Sequence, residues 1–255
     1  MFPKELTDAP RRQIRLAAFL AIALTLIGSA RIASTYKVFN FTIDEPEHAA
    51  CGIQWLDAGK YDYDLINPPL SHIVAALGLH YAGHHWDGDS NMWYEGLRVL
   101  GGGSRLERGL VYARAAMLPF FWIGAAVVFL WSLRAAGPLA AVLATAFYTT
   151  LPPILAHAGL VTTDMALTAM LGADALASIY WVENPTPRMT LIFGAAVGFA
   201  VTAKFSAIVF LPSAWLVMLM RWFCSRRENP LREFSRLRRY MAPGAAALAV
   251  AAFVI

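Results

Sequence analysis

Two adjacent carboxylates, Asp44 and Glu45, follow a long apolar stretch, and a third, Asp164, opens another such stretch after Thr162 and Thr163. Cationic groups fall at comparable positions: His157 closes one apolar run, Lys204 interrupts another, and Arg114 lies just inside a third. A carboxylate held at a membrane edge can accept the proton of a hydroxyl as that hydroxyl attacks an electrophile, while fixed cations stabilise an anionic leaving group such as phosphate. Ionisable groups at membrane depth are costly, which makes each a functional candidate by default. Plainer readings stand beside these. Asp44 with Glu47 fits an acidic N-cap for a helix running through His48, Ile53 and Trp55 to a Gly59 stop, and a cap can also be a base. His157 reads equally as a structural histidine.

Histidines offer a different chemistry. His80 and His84 are spaced i, i+4, with His72 and His85 close in sequence, but Gly83 interrupts that helix and no HExxH is present. Cys51 and Cys224 supply neither a disulfide framework nor a paired-cysteine metal signature.

The elements that must position these residues follow from composition. Of 255 residues, 58% are hydrophobic and 15% charged, with a mean hydropathy of +0.51. That argues against a soluble enzyme, whose charged fraction is about 25%. A helix needs about 20 mostly apolar residues to cross a bilayer. The expected fold is an all-α, polytopic transmembrane bundle with spans at 14–36, 110–133, 139–156, 163–181, 190–203, 205–222 and 241–255. A capping box at Ser104 and Glu107 precedes the second span. A cleaved signal peptide is the competing reading of the first; an anchor whose Arg31 snorkels to the interface is preferred.

Flanking charge sets the expected topology. The head, with Lys4, Arg11, Arg12 and Arg15, is cytoplasmic; the 37–109 loop, rich in Asp and Glu, is outside; Arg134 and Arg188 are inside. The 223–240 loop and its edge carry Arg221, Arg226, Arg227, Arg232, Arg236, Arg238 and Arg239 against Glu228 and Glu233, so it is also inside. Both Arg188 and Arg221 are cytoplasmic only if 190–222 crosses twice, turning at Lys204. The last span breaks off at Ile255, as in part of a longer protein. Within the outer loop, Asn67-Pro68-Pro69 starts a helix that is apolar at Leu70, Ile73, Val74 and Leu77. This helix and that of 44–58 suit the membrane surface, as do Trp55, Tyr61, Tyr63, Trp86, Trp93 and Tyr94.

The runs Asp44-Glu45-Pro46-Glu47-His48, Asn67-Pro68-Pro69-Leu70, His157 through Met165, and Thr202-Ala203-Lys204-Phe205-Ser206 together resemble the GT-C membrane glycosyltransferases. The protein O-mannosyltransferases and lipid A aminoarabinose transferases are the most similar in pattern. No one of these motifs is specific; their order and placement at expected outer edges carry the resemblance. It implies transfer of a monosaccharide, with inversion, from a polyprenyl-phosphate (dolichyl or undecaprenyl) carrier to an acceptor hydroxyl on protein, lipid or glycan. It implies Asp44 as base, Glu45 beside it, Asp164 as the second carboxylate, and Lys204, Arg114 and His157 at the donor phosphate. Asn67 and His72 are candidate substrate contacts, standing where many relatives have His or Lys and Lys. Some relatives use a divalent metal ion near the carboxylates; nothing in this sequence requires a cofactor. The implied location is the inner cell membrane with the N-terminus cytoplasmic and the site periplasmic, or alternatively the endoplasmic reticulum.

From another class, a transporter or channel subunit would use the intramembrane Asp174. A nucleic-acid partner is not expected, because the same arginines are what cytoplasmic loops and anionic lipid headgroups require.

Overall fold

The computed structural model describes residues 9–101, 103, 106–224 and 230–255, without the side chains of 221–224 and 230–238. Lys4, the Ser104 partner of the expected capping box, and Arg226, Arg227 and Glu228 lie outside the described residues, as do the side chains of Arg221, Arg232, Glu233, Arg236 and Arg238. Among the described residues every regular element is a helix, with no strand: α1 Arg11–Thr35, α2 Asp44–Ala58, α3 Leu70–Tyr81, α4 Met92–Val99, α5 Leu106–Thr150, α6 Pro152–Ala158, α7 Thr163–Glu183, α8 Pro187–Ala203, α9 Ala207–Cys224 and α10 Pro230–Val254. By length and composition, three of these helices, α1, α5 and α7, are long and apolar enough to cross a membrane. Large apolar side chains face outward along α1 (Phe19, Ile22, Leu26) and α9 (Val209, Phe210, Val217), more than water normally tolerates in one surface.

Helix α5 is a hairpin joined by one left-handed residue. Gly137 has φ 84° and ψ −173° inside it, a conformation that glycine adopts without a Cβ clash. The arms fold back on each other: Phe121 stacks on Tyr148 at 5.4 Å, and the Tyr148 hydroxyl donates to the Phe121 carbonyl at 3.3 Å. Arg134 beside the turn pairs with Glu183 at the end of α7 and lies over the Tyr180 ring. The expected 139–156 segment is not one helix. Leu151 is extended (φ −64°, ψ 121°) and a separate short helix starts at Pro152, because Pro152 and Pro153 lack the N–H groups needed to continue α5 and push the preceding residue out of the helical region. The expected 223–240 loop is also shorter, since α10 begins at Pro230.

Helices α2 and α3, expected on a membrane surface, each bury one face within the protein. Ala49, Ala50, Cys51, Gly52 and Ile53 of α2 and Ser71, His72, Ala75, Ala76 and Leu79 of α3 are buried, with α3 packed between α2 and α5. Glycines permit the approach: a Cβ on Gly52 would strike the His72 carbonyl, one on Gly78 the Tyr112 carbonyl, and one on Gly96 of α4 the Pro46 carbonyl. Of the aromatic residues expected at an interface, Tyr61 and Tyr63 spend their hydroxyls inside the protein, on the Asn67 and Asp89 carbonyls. The same device joins α8 to α10, where Gly194 and Gly198 face the Ala247 and Ala251 carbonyls, a G-x-x-x-G face of the kind that brings apolar helices together.

Gly78→Ala should force α3 off α5 and lower stability by about 1–3 kcal/mol, the usual penalty for overpacking, read as a fall in thermal unfolding midpoint in detergent. An unchanged midpoint would mean that this contact is not held in solution.

Candidate functional site

Three residues predicted from sequence meet where helix ends converge. His157 lies in the last turn of α6, Asp164 in the first turn of α7, and Lys204 in the extended link between α8 and α9. Lys204 Nζ donates to Asp164 Oδ1 at 2.7 Å, and His157 Nδ1 stands 3.6 Å from Asp164 Oδ2. The cluster is open: side-chain exposures are 51%, 46% and 35% for His157, Asp164 and Lys204. An ammonium has three donors, so Lys204 retains two for a ligand. Asp164 also gains from its place at a helix N-terminus.

Asp44 is exposed at the first residue of α2, and among the described residues its carboxylate has no hydrogen-bond or ion-pair partner. It is not the N-cap expected from sequence. Ile43 occupies that position in helical geometry (φ −58°, ψ −30°) without a side-chain cap bond. Glu45 instead ties the residue ahead of the cap, its Oε2 accepting the Thr42 N–H at 2.8 Å. The Asp44 carboxylate thus stands exposed in the first turn of α2.

Glu45 and Arg114 are not free. Arg114 Nε and Nη2 grip Glu45 Oε1 and Oε2 at 2.8 and 2.7 Å, Nη1 donates to the Tyr36 and Phe39 carbonyls at 2.9 and 3.0 Å, and Nη2 also donates to the Asn40 carbonyl at 3.0 Å. All five guanidinium N–H groups are thereby used. Glu45 accepts two bonds on each oxygen, from Arg114 twice, from Thr42 N and from Val161 N at 3.0 Å. Exposure is 1% for Arg114 and 0% for Glu45. This corrects two expectations: Arg114 has no donor left for a phosphate, and Glu45 has neither access nor a spare lone pair for the reaction. They hold the scaffold. Through Val161, Glu45 ties the start of α2 to the loop three residues before Asp164, so Asp44 and the open cluster belong to one end of the bundle.

Asn67 is half-buried in a local turn, and His72 is buried. Asn67 donates from N and Nδ2 to Asp64 at 3.1 and 2.8 Å, forming a turn ahead of the two prolines. Burial would raise the Asp64 carboxyl, but these bonds, the Ile66 N–H and the neighbouring His72 outweigh it and hold the group below its ordinary value. His72 is fully buried against Tyr61 and His48. Burial, with His48 beside it and only partial opposition from Asp64, pushes its imidazole down to about 3. Buried and uncharged, it is not a substitute cation for a donor phosphate. Of His48, Tyr61 and Asp64, which complete this inner group, the sequence pattern marked His48 only as a helix residue and Tyr61 only as an interfacial aromatic; the readable signal for Asp64 was its place three residues before Asn67-Pro68-Pro69, a turn pattern.

Of the other histidines, His80 and His85 approach Asp57 at 2.9 and 3.2 Å, and His84 Nδ1 bonds the Val99 carbonyl at 2.6 Å. The i, i+4 pair His80 and His84 therefore serves two separate contacts. Surface cavities of about 210 and 480 Å³ are lined by the linker after α1 and by the His84–Arg98–Tyr112 region; none of Asp44, His157, Asp164 or Lys204 lines either. No protein-family model, curated protein or solved structure matches this chain.

Removing one partner of a buried ion pair leaves an uncompensated charge, so Glu45→Met and Arg114→Met should each destabilise by about 3–5 kcal/mol, while the double variant should lose far less than the sum. Chemical denaturation of all four proteins measures this. Additive losses would show that the pair is not coupled.

Proposed function

We propose that this chain is a polytopic membrane glycosyltransferase of the GT-C type, moving a monosaccharide from a polyprenyl-phosphate carrier to an acceptor hydroxyl. The observation that carries the reading is the exposed His157–Asp164–Lys204 cluster at the helix ends where Asp44 stands unpartnered. In the proposed reaction Asp44 accepts the acceptor's proton, the acceptor oxygen bonds to the anomeric carbon, and the carbon–oxygen bond to the carrier phosphate breaks with its electron pair on the phosphate. Lys204 neutralises that leaving group with its two remaining donors, and Asp164 orients Lys204. His157 contributes a hydrogen bond to sugar or phosphate. Attack from the face opposite the phosphate inverts the anomeric centre. The bundle sits in the bilayer, with this end at the extracytoplasmic edge.

The transporter reading finds less support. Asp174 is buried between α7 and α9, and its Oδ2 accepts from Trp215 Nε1 at 3.2 Å. Among the described residues no ionisable side chain pairs with it, so it behaves as a polar contact between helices rather than a step in an ion path.

Membranes containing the protein, supplied with a panel of polyprenyl-phosphate sugars, test the proposal. Asp44→Asn should lower turnover roughly 10²–10⁴-fold, the range for loss of a general base, with expression unchanged. Lys204→Ala should chiefly raise the apparent KM for the lipid-phosphate donor. Near-normal turnover of Asp44→Asn would remove it as the base, and an unaltered donor dependence would remove Lys204 from the phosphate site.

A further inference from the structure

The junction of α2 and α3 gathers three metal-ligand side chains that the transfer chemistry does not use. His48 of α2, Asp64 of the connecting loop and His72 of α3 each offer one ligand atom, and these atoms lie within 4.8 Å of one another. The two imidazole rings approach with centroids 4.3 Å apart, a closeness that depends on Gly52, since a Cβ there would collide with the His72 backbone.

Hydrogen bonding settles which nitrogen each ring keeps free. His48 Nδ1 is 2.8 Å from the Val161 carbonyl oxygen, which only accepts, so Nδ1 carries the proton. The Tyr61 hydroxyl donates to the Asn67 carbonyl at 2.8 Å, so its oxygen receives the N–H of His72 Nδ1. Nε2 is then a bare lone pair on both rings. His72 Nε2 is buried without any hydrogen-bond partner, although buried polar atoms are as a rule satisfied. Asp64 is held in place by the Ile66 and Asn67 N–H groups and the Asn67 amide, with acceptor capacity left over. Metal-bound histidines characteristically donate their second ring nitrogen to a backbone carbonyl or similar acceptor. Both rings already do.

We propose that His48, Asp64 and His72 bind one divalent transition-metal ion, with two imidazole nitrogens and a carboxylate oxygen as protein ligands. This set suits zinc or its first-row neighbours, whereas magnesium and calcium take oxygen ligands. The ion fastens α2, the connecting loop and α3 together one helical turn along α2 from Asp44. The exposed group Asp57, His80 and His85 is a weaker candidate, because Asp57 already accepts the Trp86 N–H at 2.7 Å and both histidines approach it through Nδ1.

The test needs no activity and so stands apart from the transferase reading. The whole chain in detergent, stripped with a chelator and dialysed against Zn²⁺ or Co²⁺, should retain about one ion per chain by elemental analysis, and Co²⁺ should show visible absorption typical of low-coordinate nitrogen ligation. His72→Gln should abolish retention, and Asp57→Asn should leave it intact. Tyr61→Phe keeps all three ligands but removes the acceptor for His72, and should weaken binding roughly 10–100-fold. Failure of the unaltered chain to retain either ion, loss of retention with Asp57→Asn, or unchanged affinity in Tyr61→Phe would overturn the proposal. The Co²⁺ spectrum of the unaltered chain decides the matter even if His72→Gln does not fold.

Discussion

The buried pair of Glu45 and Arg114 is the interaction on which the rest of the described structure hangs. Taking two charges out of water is tolerated only when the geometry is good and every remaining lone pair and proton is satisfied. Both conditions hold here, with five donors on one side and four accepted bonds on the other. Those bonds reach the linker after α1, the first turn of α2, the first arm of α5 and the loop before α7. Three stretches distant in sequence, at 36–45, 114 and 161, are thereby fixed to one another.

Close packing does the remaining positioning. Where apolar surface outside a helix pair is matched by equally apolar surroundings, association depends on backbones approaching closely and on polar contacts, not on expulsion of water. Gly52, Gly78 and Gly96 let α2, α3, α4 and α5 interlock, and Gly194 and Gly198 do the same for α8 against α10. The outward faces of α1 and α9 are left apolar and uncovered. Such a body is closely packed inside and apolar along much of its outside.

That end divides into two electrostatic settings. Asp164, Lys204 and His157 are open and keep spare hydrogen-bonding capacity, which suits exchange with a charged ligand. His48 and His72 are buried and pointed by fixed neighbours, which suits holding something in place. Val161 links the two, since its N–H is bound by Glu45 and its carbonyl by His48.

Much of this was legible in the chain itself. Apolar run lengths marked α1, the two arms of α5, α7, and the α8–α9 hairpin with its turn at Lys204, and proline and glycine marked several breaks. The meeting of His157, Asp164 and Lys204 followed from placing helix ends on one side, because a helix end is a one-dimensional coordinate that hydropathy supplies. Other assignments were beyond it. Arg114, Glu45, Asn67 and His72 have the same residue types as a working site, yet they are occupied by partners 11 to 116 residues away or by a local turn. Residue type and spacing by themselves determined which side chains could do chemistry and at which helix ends they stand. Only the tertiary structure decided which of them are already satisfied, because a charge becomes scaffold or site according to whether neighbouring donors and acceptors use up its hydrogen-bonding capacity.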